Sequence, residues 1–149
     1  MPGALAGLIN LGQFPNGPGV ASLTIQNNGT LTANNSIGVG FAAGTTGLLT
    51  VTGPDAILEN LPAAISVGNS GTGTAIFEDH ATVTAGNFTI GNNSGSMGTL
   101  TVTGGATATS GFGFIGASGM GALIIEDQAT VSTGNTALGT SASGEGRRP

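Results

Sequence analysis

The chain has 149 residues, of which 29 are glycine and none is cysteine, and its formal net charge is −5. Without cysteine it can form neither disulfides nor thiolate metal sites. Arg147 and Arg148 are its only Lys or Arg residues, which excludes the basic surface that nucleic acids and anionic membranes require. The composition is 38% hydrophobic and 6% charged. Disordered chains combine low hydrophobicity with high net charge, so this composition argues against disorder.

Residues 1–18 are predicted to form a partial N-terminal coil or a cap. The start, MPGALAGLINLGQF, lacks the basic n-region of a secretory signal, and Gly and Asn interrupt its apolar run. No apolar run in the chain approaches the length of a membrane-spanning helix. We therefore expect no membrane insertion by this chain, and export would need a longer chain or a signal outside it.

Residues 19–143 contain an internal repeat, with two looser copies followed by three regular ones. The looser copies are Gly19–Gly44 and Thr45–Ser70, and the copies of 24 residues are Gly71–Ser94, Gly95–Ser118 and Gly119–Ala142. Each copy holds three short segments in which apolar residues alternate, as in Ala75–Phe77, Ala81–Val83 and Phe88–Ile90. A period of two is typical of strands, and the frequent Gly and Pro exclude helices from nearly the whole chain.

Strands this short cannot each find a partner within one copy, so we expect each to pair with its counterpart in the next copy. The sequence predicts an all-β fold, a single-stranded parallel β-solenoid (β-helix) of about five coils of roughly 24–26 residues, with three short strands in each coil. A stack of coils buries the continuous aliphatic core that one copy lacks. The predicted inward columns are Phe77, Val102 and Ile125; Val83, Ala108 and Val131; and Ile90, Ile115 and Leu138. The glycines that follow the third column should turn corners with positive φ: Gly91, Gly116 and Gly139.

The segments GTLTVTGGAT and FTIGNNSGSMGTLTVTGGA resemble the β-solenoid passenger repeats of bacterial autotransporters and related large surface proteins. The resemblance extends from Gly19 to about Ala142. It implies an extracellular protein of the bacterial cell surface, either a fragment of a longer passenger or a shorter relative that assembles by itself. Such passengers serve as adhesins, as stalks or as carriers of an enzyme, so the resemblance implies an architecture more than an activity.

The ionisable residues offer little for catalysis. The best constellation, Glu78–His80, is echoed two coils later by Glu126–Gln128, about 10 Å away at two strand spacings. That separation exceeds the carboxylate spacing of either glycosidase geometry. We interpret Asp79, Asp127 and His80 as turn residues and predict no catalytic residue, no cofactor and no metal site. A polysaccharide-active β-helix enzyme is the less favoured alternative.

Threonines flank the second inward column on its outer side. The residues of this candidate surface are Thr82, Thr84, Thr107, Thr109, Thr130 and Ser132. Thr30 and Thr32 fit the same two rows, whereas Ile57 and Glu59 interrupt them. Parallel rows of methyl and hydroxyl groups on a flat sheet are what an ice-binding surface requires, so ice binding is the alternative function. Threonine is also favoured at exposed β positions, which explains the rows without any ligand.

The end coils of a solenoid expose unpaired strand edges and the open core. Residues 144–149 form a polar tail that is suited to blunting such an edge. We predict a structural or adhesive protein, a passenger stalk or a self-stacking filament subunit, and not an enzyme. Its partners would be further copies joined end to end or neighbouring repeats of a longer chain, with a host surface or a glycan as a further candidate ligand.

Overall fold

The computed structural model describes residues 4–13, 19–139 and 145–147. These residues form strands and turns, and none of them lies in a helix that could cross a membrane. The strands, in chain order, are β1 (Ala4–Ala6), β2 (Ile9–Leu11), β3 (Val20–Gln26), β4 (Thr30–Ala33), β5 (Ile37–Val39), β6 (Thr46–Thr52), β7 (Ile57–Val67), β8 (Thr72–Glu78), β9 (Thr82–Ile90), β10 (Met97–Val102), β11 (Thr107–Ile115), β12 (Met120–Ile125), β13 (Thr130–Leu138) and β14 (Glu145–Arg147).

The strands form two parallel sheets that share one hydrophobic core. In the first sheet the order is β1-β4-β7-β9-β11-β13, and β5 pairs with both β2 and β7. In the second sheet the order is β3-β6-β8-β10-β12-β14. Neighbours in a sheet come from successive coils, so the chain crosses from one sheet to the other and back once per coil. The predicted all-β parallel β-solenoid, with about five turns, is confirmed.

The three predicted inward columns are confirmed by the strand pairing. Val102 pairs with Phe77 on one side and Ile125 on the other. Ala108 pairs in the same way with Val83 and Val131, and Ile115 pairs with Ile90 and Leu138. The middle members of all three columns are buried. Aliphatic side chains therefore stack along the axis of the molecule.

Successive coils differ in length although the sequence repeats every 24 residues. Phe77 pairs with Val102 and Val102 with Ile125, which are offsets of 25 and 23 positions. The segments between the first and second sheets take up the difference: 91–96 has six residues, whereas 116–119 has four. The period of 24 is thus the mean of two coil lengths, and the turns absorb the variation.

The second and third segments of a coil are separate strands early in the chain, β4 and β5, but later coils join them into one bent strand. In β9 the buried positions change from Val83 and Ala85 to Phe88 and Ile90, so the alternation shifts phase at Gly86. A Cβ atom on Gly86 would collide with the backbone of Pro62. The three predicted faces are retained, but two of them share a strand whose alternation shifts phase, in β9 at a glycine that packs against the Pro62 backbone.

The corner glycines adopt the predicted backbone conformation. The φ angles of Gly91, Gly116 and Gly139 are +69°, +67° and +58°. The space behind the corner is also closed to side chains, because a Cβ on Gly98 would meet the backbone of Val67 and Gly91. Each corner therefore needs one glycine for its φ angle and a second for the close approach of two backbones.

Both ends of the solenoid hold partial coils. β1 and β2, from the segment predicted to be a partial coil or cap, pair with β4 and β5. β14, which lies in the segment predicted as a polar tail, pairs with the first half of β12 through Met120–Ala122. Residues 145–147 of the tail thus add a three-residue strand to the edge of the second sheet.

Truncation of the first column should show how strongly the core depends on stacking from both sides. Phe77 is 0% exposed and Ile125, two coils later in the same column, is 41% exposed. We expect Phe77→Ala to lower the free energy of unfolding by about 3–5 kcal/mol and Ile125→Ala to lower it by about 1 kcal/mol. Urea unfolding followed by circular dichroism measures both. Equal losses at the two positions would contradict a core that is covered in the middle and open at the end.

Candidate functional site

The turns that lead from the second sheet to the first stack into a column. Most of them place two consecutive residues at positive φ: Asn27 and Asn28, Asp79 and His80, Gly104 and Gly105, and Asp127 and Gln128. In the turn that follows β8, the Ala81 N–H donates to the Glu78 carbonyl oxygen at 3.1 Å, which gives a type I′ turn. Asn, Asp and Gly tolerate positive φ best, which is why these residue types recur at the turn.

The two aspartates of this column serve the stack. The Thr52 hydroxyl donates to the Asp79 carboxylate at 3.2 Å, and the Thr103 hydroxyl donates to the Asp127 carboxylate at 2.9 Å. In both pairs the threonine belongs to the coil before the aspartate. The carboxylates thus tie adjacent turns together, which agrees with their interpretation as turn residues.

The predicted Glu78–His80 and Glu126–Gln128 motifs lie two coils apart, with Gly104 and Gly105 of the intervening turn between them. His80 is exposed, and its ring lies beside Gly105, where a Cβ would come within 3.1 Å of Cδ2 and Nε2. Within the ranges that the structure describes, no three His, Cys, Asp or Glu side chains are grouped so that they could hold a metal ion. The arrangement accounts for these residues as parts of stacked turns.

The structure brings the predicted threonines together as two straight rows on the outside of the first sheet. Strand pairing aligns Thr82 with Thr107 and Thr107 with Thr130, and it aligns Thr84 with Thr109 and Thr109 with Ser132. Neighbours within a row are about 4.8 Å apart along the axis, and the two rows are about 6.6 Å apart along the strands. All six side chains are exposed or half-buried. The rows thus present a regular grid of hydroxyl groups over three coils.

The interruption of the rows also lies where the sequence placed it. Ile57 pairs with Thr30 and Thr82, and Glu59 pairs with Thr32 and Thr84. The grid is therefore continuous from β9 to β13 and broken at β7. Beyond β7 it resumes for one coil at β4.

The second sheet carries a related pattern that the sequence analysis did not identify. Its outward residues include Thr50 and Thr52 on β6, Ile76 and Glu78 on β8, and Thr101 on β10, which is followed by Thr103. Pairing aligns Thr50 with Ile76 and Ile76 with Thr101. Threonine pairs thus alternate with Ile-x-Glu from one coil to the next. The same period of two that revealed the first grid could have revealed this one.

Two aromatic rings on the third face were also missed. Phe112 and Phe114 are stacked, with ring centroids 5.1 Å apart and an interplanar angle of 14°, and Phe112 is 38% exposed. Phe112 pairs with Asn87 and Asn135, and Phe114 pairs with Thr89 and Ala137. The Phe-x-Phe spacing on one strand was the available signal, because alternate residues share a face.

Polar side chains line the corner between the first sheet and the second. The Asn92 side-chain N–H donates to Asn69 Oδ1 at 2.9 Å, and the Asn93 side chain donates to Ser70 Oγ at 2.9 Å. Asn69 in turn donates to the Phe41 carbonyl oxygen at 3.4 Å. These bonds connect successive coils in the same way as the aspartates connect the opposite turns.

Searches against models of protein families, curated proteins and solved structures find no match to this chain. The resemblance to autotransporter passenger repeats thus stays a prediction from the repeat itself.

The turn column yields a test of whether His80 acts as anything other than a turn residue. The φ of His80 is +64°, a backbone conformation that is about 1 kcal/mol less favourable for a residue with a Cβ atom than for glycine. We expect His80→Gly to leave the free energy of unfolding unchanged or to raise it by up to about 1 kcal/mol, as measured by urea unfolding. A loss of more than about 1 kcal/mol would show that the imidazole makes a stabilising contact beyond the turn.

Proposed function

We propose that the protein is a non-catalytic structural solenoid of the bacterial cell surface that acts as a stalk or an adhesive surface. The observation that supports this role is the continuity of the core. The inward columns pass through successive coils in register, from Leu58 through Val83 and Ala108 in one of them. The extracellular bacterial setting rests on the resemblance of the repeats to passenger repeats.

A continuous parallel stack suits a spacer. Each coil is held to the next by backbone hydrogen bonds along both sheets, and the turns add bonds such as Thr103 to Asp127. Each added coil lengthens the rod by about 4.8 Å without a new fold, because a repeat contacts only its neighbours. A solenoid can therefore set a distance from a surface in small, regular steps.

The outer faces suit adhesion more than chemistry. Threonine, serine and asparagine hydroxyls and amides recur along the axis, and charged side chains lie mainly at turns such as 78–80 and 126–128. The Phe112 and Phe114 rings provide an apolar patch beside these polar rows. Neutral hydrogen-bonding groups next to an aromatic patch fit a host surface or a glycan as ligand.

Location is the most direct test of this role. Antibodies raised against the purified chain should label intact cells of the bacterium that produces it, as seen by immunofluorescence. An antibody against a cytoplasmic protein, which should label permeabilised cells only, is the control. Labelling by the anti-solenoid antibody only after permeabilisation would contradict a surface role.

Ice binding is a second candidate, favoured by one specific observation. The rows Thr82–Thr107–Thr130 and Thr84–Thr109–Ser132 form a two-dimensional grid on parallel strands. A crystal of water is a ligand with a two-dimensional repeat, so a regular grid of hydroxyls and methyls can meet it at many points at once. The grid covers three coils because Ile57 and Glu59 interrupt it.

The double variant Ile57→Thr/Glu59→Thr should extend the grid from three coils to five, since Thr30 and Thr32 lie beyond the gap. If the grid binds ice, this variant should inhibit ice recrystallisation at a lower concentration than the wild type, whereas Thr107→Leu should act only at a higher one. Thr72→Leu is the matched control, because Thr72 is exposed as Thr107 is but lies on the second sheet. This variant should behave as the wild type. Absence of inhibition by the wild type and the double variant would remove this candidate.

A further inference from the structure

Among the residues that the structure describes, those of the last coil leave part of the core exposed. Leu138 is 48% exposed and Ile125 is 41% exposed, although the earlier members of their columns are buried. A cavity of about 280 Å³ opens here between the two sheets, lined in part by Leu123, Ile125 and Val131. Beyond β13 the first sheet has no further strand among the described residues. This end therefore combines an apolar surface with an unpaired strand edge.

The first coil presents the complementary edge. β1 and β2 form the opposite edge of the first sheet, and β3 forms that of the second. Inward residues that are buried in later coils are only partly buried here, among them Ile9, Ala21 and Leu23. The same inward columns are therefore partly exposed at both ends of the stack.

The strand pairing determines how the two ends would meet. Leu11 and Leu138 belong to one column, since Leu11 pairs with Val39 and the column continues through Val67 to Ile115. By the same continuation, Ile9 shares a column with Thr136 and Asn10 shares one with Ala137. In the second sheet, Val20 and Glu145 lie in one column through Thr46 and Met120. Both sheets therefore offer matching registers at once.

We propose that the solenoid joins end to end with a second copy of itself. β1 and β2 of one copy pair in parallel with β13 of the other, and β3 pairs with β14, so the columns that these strands share continue across the junction. This inference rests on the proposed structural role and specifies its partner. A copy of this chain is the occupant because a parallel edge that spans both sheets needs a partner with the same coil, twist and register.

Charge also permits the junction. β1, β2, β3 and β13 contain no ionisable residue, and the two in β14, Glu145 and Arg147, have opposite signs. The acidic residues responsible for most of the net charge of −5 lie in turns and on outer faces, as do Asp79 and Glu59. Two copies can therefore meet without burying like charges.

Association is tested with a pair of variants matched in exposure. Leu138→Asp places a charge at the proposed junction, whereas Met97→Asp changes a residue that is equally exposed, at 48%, on the flank of a middle coil. By analytical ultracentrifugation, the wild type should reach at least twice the monomer mass of 14.2 kDa as concentration rises. Leu138→Asp should shift this association to a concentration at least about tenfold higher, and Met97→Asp should not.

The register is tested separately by cross-linking, for which the absence of cysteine in the chain is an advantage. Mixed Asn10→Cys and Ala137→Cys proteins should form a disulfide-linked dimer under mild oxidation, because one strand spacing suits a disulfide. Thr24→Cys, on the opposite sheet, replaces Asn10→Cys in the control and should give little dimer. A wild type that keeps its β-sheet circular dichroism but stays monomeric at all concentrations overturns self-assembly. Since cell labelling does not depend on stacking, this result would leave the surface role to its own test.

Discussion

The structure depends on the parallel, in-register pairing of each coil with the next. This pairing satisfies the backbone hydrogen bonds of strands too short to pair locally, and it places each inward aliphatic side chain against its counterpart. Phe77, Val102 and Ile125 show the consequence: two members of the column are covered on both sides and buried, and the last is exposed. The core is thin, so every coil relies on its neighbours. Turns, corners and outer faces are repeated because the pairing repeats them.

The surfaces inherit this regularity. A threonine that suits one coil recurs one strand spacing away, as at Thr82, Thr107 and Thr130, whether or not a ligand selected it. Repetition also turns small bonds into ladders, such as Asn69 to Asn92 at the corner. A solenoid of this kind can therefore act as a spacer, an adhesive face or a lattice-matching surface with few changes of sequence. The ends of the described stack differ from the faces, because the pairing of the described strands stops there.

Much of this could be predicted from the sequence, since a repeat with alternating apolar residues constrains both strand register and inward columns. The inward columns, the glycine corners and the alignment of the threonine rows all follow from that repeat. The joining of two segments into one strand could not be predicted, because it depends on a phase shift at Gly86 and its contact with Pro62. The coil lengths of 25 and 23 residues could not be predicted either, because turns of different length leave the mean period at 24. The grid on the second sheet was overlooked because Ile76 and Glu78 interrupt it in alternate coils.

Nuclear Overhauser contacts around Val102 test the in-register stack most directly. An in-register stack predicts contacts from the Val102 methyl groups to the Phe77 ring and to the Ile125 side chain, 25 positions earlier and 23 later in the chain. It also predicts that the nuclear Overhauser contacts between the backbones of β8, β10 and β12 follow the pattern of parallel strands. Antiparallel contacts between β10 and a neighbouring segment, with no contact to Phe77 or Ile125, would contradict the stacked coil and every surface built on it.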